Sequence, residues 1–144
     1  MQGFLMPKMY VKTAEDEHVE MYLKAMCIME EEGLPIKVSI IAKKLNIRQP
    51  SVVQMLKKLD EKKLITYNNL GIEINGVGRK IGQNTIRKSR LLETMMINML
   101  KIEINQEIIC GIEHHMDDEF TDALSNLLGN PKKSPSGKNI PSKT

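Results

Sequence analysis

The sequence predicts a mainly α-helical protein with one small β-hairpin. Apolar residues recur at helical spacing along most of the 144 residues. Helix-capping and helix-stopping residues fall at the edges of those stretches. A single pair of β-like runs, Leu64–Tyr67 and Gly71–Ile74, flanks Asn68-Asn69.

Met1 to Lys12 has no clear period and reads as a loose arm. Thr13 is placed to N-cap the first helix, with Asp16 at the capping-box position, and Val19, Leu23, Met26, Cys27 and Glu30 follow at helical spacing. Gly33 and Pro35 end that helix, and Ile36-Lys37-Val38 is extended. Ser39 caps a second helix to Leu45, with Ile40, Ile41 and Ala42 inward. After the turn Asn46 to Gln49, Pro50 suits the first position of a third helix from Ser51 to about Lys62, with Val52, Val53, Leu56 and Leu59 apolar.

Beyond the hairpin, Gly76 and Gly78 break the chain before a longer helix from about Val77 to Lys101. Asn105 caps the next helix. Asp117 caps the last one, with Asp118 and Glu119 in its positive first turn. Phe120, Leu124, Leu127 and Leu128 form its core face, and Gly129 stops it. From Pro131 on, the tail is mostly loop.

Trp is absent and aromatics are few, so Leu, Ile, Val and eleven Met must fill the interior. Two cysteines, Cys27 and Cys110, make no disulfide framework. No apolar run approaches membrane-spanning length and the N-terminus lacks a signal-peptide pattern, so a reducing cytoplasm and no membrane partner are expected.

The net charge is only +3, but it is unevenly spread. Between Lys37 and Tyr67 eight basic residues face two acids, whereas Glu103 to Asp122 holds seven acids and no Lys or Arg. A basic half suits a polyanion; an acidic half suits a metal or a partner.

Helix, turn, helix and hairpin describe a winged helix-turn-helix over residues 13–76, followed by an all-α half over residues 77–144. In such a unit the second helix enters the major groove of DNA and its first residues meet base edges. Those residues are Arg48, Gln49, Pro50, Ser51 and Gln54: Gln can pair with adenine, Arg with guanine, and Pro or Ser can touch a thymine methyl. Ser39, Lys43, Lys57, Lys58, Lys62 and Lys63 complete the DNA face, the lysines suiting phosphates. The bland alternative is a solvated basic face on a protein-binding winged helix.

The acidic half carries Cys110, Glu113 and His114 at i, i+3 and i+4, one face of a helix. Gln106 extends that face backwards. Thiolate, carboxylate and imidazole together favour a transition metal over Mg or Ca. Singly, the Cys is more commonly a buried apolar thiol than a ligand, and the His reads as a surface or core histidine. No oxyanion donors, glycine-rich phosphate loop or nucleophile–base pair accompany them, so the chain does not read as an enzyme.

Several stretches carry a family resemblance: Val19-Glu20-Met21-Tyr22-Leu23-Lys24, Met29-Glu30-Glu31-Glu32-Gly33, Ile41-Ala42-Lys43-Lys44-Leu45, Pro50-Ser51-Val52, Arg87-Lys88-Ser89-Arg90-Leu91-Leu92-Glu93, Gly111-Ile112-Glu113-His114-His115-Met116, and Ser134-Pro135 to Ile140-Pro141. From about Thr13 to Pro141 the chain resembles the diphtheria toxin repressor family of iron- and manganese-dependent repressors.

The resemblance implies a homodimer whose winged helices bind palindromic double-stranded DNA when a divalent transition metal is bound. Leu91, Leu92, Met95, Met96, Met99 and Leu100 offer more apolar surface than one core-facing stripe needs; they read either as a helix buried between its own neighbours or as a dimer interface, which the resemblance supports. The family's main regulatory site falls on Met21, Cys110, Glu113 and His114. Met and Cys match the iron-responsive branch, where the manganese branch has Asp and Glu. Fe(II) is therefore expected ahead of Co, Ni, Zn or Mn.

The chain departs from the family at the second metal site, where His, Glu and His become Ser89, Glu93 and Gln106. That site is expected to be empty or weak. The two-domain form, without the SH3-like domain of many iron-branch members, is expected as well. The rival reading is a metal-independent winged-helix regulator whose metal site has decayed.

Overall fold

The computed structural model describes residues 12–143. All but the last residue of the expected N-terminal arm lie outside that range. Six helices and one hairpin follow in the order α1 (Ala14–Glu31), α2 (Val38–Leu45), α3 (Gln49–Glu61), β1 (Ile65–Asn68), β2 (Gly71–Ile74), α4 (Gly76–Asn98), α5 (Gln106–Glu113) and α6 (Asp118–Leu127). This is the expected mainly α architecture with a β-hairpin wing.

Local chemistry accounts for several boundaries. Thr13 and Asp16 form the complete capping box of α1. Asn105 caps α5 by accepting from the backbone of Glu107 and Ile108, and Asp117 caps α6 by accepting from Phe120. Gly33 and Gly129 follow α1 and α6 at positive φ (71° and 81°), the conformation that relieves a helix C-terminus.

Other boundaries differ from the sequence reading. Ser39 is not the cap of α2: Lys37, extended and without a side-chain cap, holds that place. The helix starts earlier because Val38, one turn before the buried Ile41, packs on the core. Pro50 sits at the second position of α3, behind Gln49, where its missing N–H is still harmless. The hairpin pairs Asn68 with Gly71, so its turn is Asn69-Leu70 rather than Asn68-Asn69.

Gly76 and Gly78 do not break the chain but open α4. Asn75 caps the helix by accepting from Gly78 N, and Gly78 lies in the first turn. There an added Cβ would come within 2.1 Å of the Leu64 carbonyl oxygen, so the glycine permits α4 to press against the hairpin. At its other end α4 stops at Asn98, because Lys101 turns left-handed (φ 56°) and Ile102 N returns to Met96 O.

The first core gathers Leu23, Met26 and Met29 of α1 with Ile41, Val52, Leu56 and Leu59 of the helix-turn-helix, plus Ile65, Ile74 and Ile86. Burying each such side chain contributes about 1.5–3 kcal/mol. The second core joins Leu91, Leu92 and Met96 to Ile109, Met116, Leu124 and Ile140. Because Ile86 and Leu91 share one helix, α4 is the spine between the two cores.

Phe120 and Leu127 are not core residues: they are 54% and 65% exposed, and Thr121, Leu124 and Ser125 turn inward instead. The arc of α6 that meets α4 is narrower than its apolar residues suggest. The tail is loop but anchored. Arg90 donates to the Asn139 carbonyl and to both oxygens of Glu31, while Ser134 and Ile140 are buried.

Candidate functional site

Two clusters carry chemistry. The first is the helix-turn-helix face. Ser39, Lys43, Arg48, Gln49, Pro50, Ser51, Gln54, Lys57 and Lys58 are all exposed. The inner side of α3 is anchored by Val52, Met55, Leu56 and Leu59, so its outer residues have a fixed orientation. The wing places Leu70 at its tip, 97% exposed.

The second cluster lies where α1 meets the C-terminal end of α5. Cys110, Glu113 and His114 bring one donor atom each within 4.8 Å of one another, the one such group of three among the described residues. The Cys110 Sγ lies 3.8 Å from His114 Nε2, which is 3.6 Å from Glu113 Oε1. Glu113 and His114 are buried; Cys110 is half-buried.

Across the gap, Met21 lines a cleft of about 540 Å³ together with Lys24, Lys44, Gln106, Cys110 and Glu113. Three of the four residues of the expected main site thus line one cleft, Met21 from α1 and Cys110 and Glu113 from α5, and His114 stands beside the latter two.

The electrostatics of the two donors differ. Burial, aided by the Glu113 carboxylate, pushes the Cys110 thiol above its ordinary value. Burial pushes the His114 imidazole down against the opposing pull of Glu113, so at neutral pH it offers a lone pair. His114 Nδ1 is buried with no hydrogen-bond partner among the described residues, and Glu20 Oε2 stands 3.6 Å from it. A soft thiol, a thioether, a carboxylate and a neutral imidazole fit a divalent transition ion.

The residues of the expected second site are engaged in hydrogen bonds. Lys24 donates to Ser89 at 3.2 Å, and Gln106 donates to Glu93 at 2.9 Å. All three line a cavity of about 340 Å³ that also receives Lys24, Arg90 and Lys138. Lysine and arginine side chains rather than imidazoles accompany them there.

Sequence reasoning missed Glu17, Glu20 and Lys24. They occupy i, i+3 and i+7 on one flank of α1 and meet His115 (3.1 Å), His114 (3.6 Å) and Glu113 (3.0 Å) in turn. The signal was a polar stripe beside the apolar one, matched to the run Glu113-His114-His115. Lys12 reinforces the joint: it pairs with Glu20 and donates to the His114 carbonyl.

Comparison with known proteins places the chain in one family. Residues 16–70 match the family model for the iron dependent repressor N-terminal DNA binding domain, and residues 76–142 match that for the iron dependent repressor metal binding and dimerisation domain. The chain is 30% identical over 125 residues to the diphtheria toxin repressor of Corynebacterium diphtheriae, covering 85% of this chain and 55% of that protein. It is 31% identical over 126 residues to the iron-dependent repressor IdeR of Mycobacterium leprae, covering 85% and 54%. Its fold superposes on the manganese regulator SloR with a TM-score of 0.76 at 31% identity, covering 87% of this chain and 60% of that one. The chain spans about half the length of the curated relatives it matches. No described helix is long and apolar enough to cross a membrane.

Proposed function

The chain belongs to the iron-dependent repressor family, and from that premise we propose that it is a divalent-metal-dependent transcriptional repressor. In this reading it acts as a homodimer on palindromic DNA, with residues 13–76 reading the operator and residues 77–144 holding metal and partner. One observation carries the proposal: Cys110, Glu113 and His114 converge to within 4.8 Å beside a cleft that Met21 lines from the DNA-reading half.

Met21, Cys110, Glu113 and His114 would hold the ion, with Fe(II) favoured by the thiol and thioether. A dication bound there would supply positive charge shared between α1 and α5. The protein's own part is mechanical. α1 shares its core with α2 and α3, so whatever fixes α1 against α5 also fixes the recognition helix. In a dimer, two recognition helices must meet successive major grooves about 34 Å apart. Fixing α1 selects the DNA-competent arrangement from those already sampled.

On DNA, Arg48, Gln49, Pro50, Ser51 and Gln54 would meet base edges, with Ser39, Lys43, Lys57 and Lys58 on the flanking backbone. Ser89, Glu93 and Gln106 would not form a working second metal site. Anaerobic fluorescence anisotropy with a duplex from the protein's own upstream region, with and without Fe(II), tests the proposal. Binding only with metal is expected. Equal binding in both conditions would replace it with the metal-independent regulator.

A further inference from the structure

We infer that Lys24 is a resident cation of the metal centre: its ammonium holds Glu113 in the metal-free protein and must yield that carboxylate when a divalent ion binds. The inference rests on the reading of Cys110, Glu113 and His114 as ligands and adds to it a built-in competitor.

The geometry is specific. Lys24 Nζ lies 3.0 Å from each oxygen of Glu113 and 3.2 Å from Ser89 Oγ. One ammonium therefore joins α1, which carries it, to α4 through Ser89 and to α5 through Glu113. Glu113 is only 1% exposed, and a carboxylate so buried is strongly unfavourable without a partner. Lys24 satisfies it symmetrically, occupying the carboxylate that a metal at this centre would need.

Ser89 completes the arrangement. It stands where the resemblance calls for a histidine, and it is itself 4% exposed. A hydroxyl there accepts from an ammonium. Lys24 also has somewhere to go, because its flexible stem lines both the cleft beside Met21 and Cys110 and the separate cavity beside Ser89 and Glu93.

Two consequences follow from the same contact. The metal-free protein keeps its three helices joined by an internal charge. An incoming dication must displace that charge from Glu113, so Lys24 raises the metal concentration at which the site fills.

The test compares the wild-type chain with Lys24→Gln by anaerobic Co(II) titration, followed through thiolate-to-metal absorbance, and by thermal melts with and without Co(II). Lys24→Gln should bind Co(II) about tenfold more tightly. Its metal-free Tm should fall, and its Co(II)-induced rise in Tm should exceed that of the wild type. Ser89→Ala, which removes one anchor and leaves the charge, should shift affinity in the same direction by less.

Should Lys24→Gln fold only with Co(II), that too supports the inference, since metal would then be replacing the lost charge. Unchanged or weaker Co(II) binding by Lys24→Gln, or an unchanged metal-free Tm, overturns it. A wild-type chain that takes up no Co(II) would instead remove the ligand reading, and the metal-free melts would still decide whether Lys24 holds Glu113.

Discussion

Glu20 Oε2 stands 3.6 Å from His114 Nδ1, at the edge of the imidazole away from Cys110 and Glu113. Imidazoles that ligate metals through one nitrogen commonly donate the other N–H to a carboxylate, which fixes the ring and raises its basicity. Glu20 is therefore expected to orient His114. Glu20→Ala should weaken metal binding by roughly 10–100-fold, measured by competition with a coloured chelator. An affinity unchanged by the substitution would leave Glu20 a partner of Lys12 alone.

Metal uptake should release one proton, from Cys110. Burial holds the Cys110 thiol above its ordinary value and His114 below its own. Near neutral pH the imidazole is already free, whereas the thiol must lose its proton to ligate. Affinity should accordingly climb by about one order of magnitude per pH unit between pH 7 and 8, with one proton released per ion. Cys110→Ser should flatten that slope. Calorimetry in buffers of different ionisation enthalpy measures the release directly.

Cys27 should behave differently from Cys110. It is 2% exposed, and burial pushes its thiol up to about 11. At pH 8 a thiol reagent should label the half-buried Cys110 slowly, because its raised thiol is mostly protonated, and Cys27 only on unfolding, and bound metal should protect Cys110. Rapid labelling of both cysteines in the native protein would contradict the close packing of α1 on α4.

What was legible in the sequence divides along physical lines. Thr13, Asn105 and Asp117 were readable as caps because a cap bonds the backbone two or three residues away. The Cys110, Glu113 and His114 face was readable because helical spacing alone brings those residues together. Lys37 as a cap, Gly78 in a first turn and Phe120 facing outward were not, since tertiary contacts with the core, with Leu64 and with α4 decide them. Lys24 and Glu20 were hidden for the same reason: their roles exist only once α1 lies across α5.

The α1–α4 contact offers a direct stability test. A Cβ on Gly82 would come within 2.5 Å of Cys27 Sγ and 2.7 Å of the Leu23 carbonyl oxygen. Gly82→Ala should cost about 1–3 kcal/mol through overpacking, read from urea unfolding. Adding Cys27→Ala should recover only part of that loss, because the Leu23 carbonyl is backbone and cannot withdraw. Full recovery would mean that the sulfur alone sets the separation of the two helices.

The DNA face can be divided by salt and by sequence. Lys57 and Lys58 are exposed on the flank of α3, whereas Ser51 and Gln54 lie in its N-terminal half, where base edges come within reach. Lys57→Ala should weaken binding to operator and unrelated DNA alike and reduce the salt slope by about one. Gln54→Ala should leave the slope unchanged and cost about 1–3 kcal/mol on the operator alone, with relaxed preference at one base position in each half-site. Both follow from the same geometry: a phosphate contact releases a counterion wherever it forms, but a contact to a base edge exists only on the matching base. If Gln54→Ala lowered affinity for all sequences equally, α3 would be docking on the backbone, and the sequence preference would have to come from elsewhere in the winged helix.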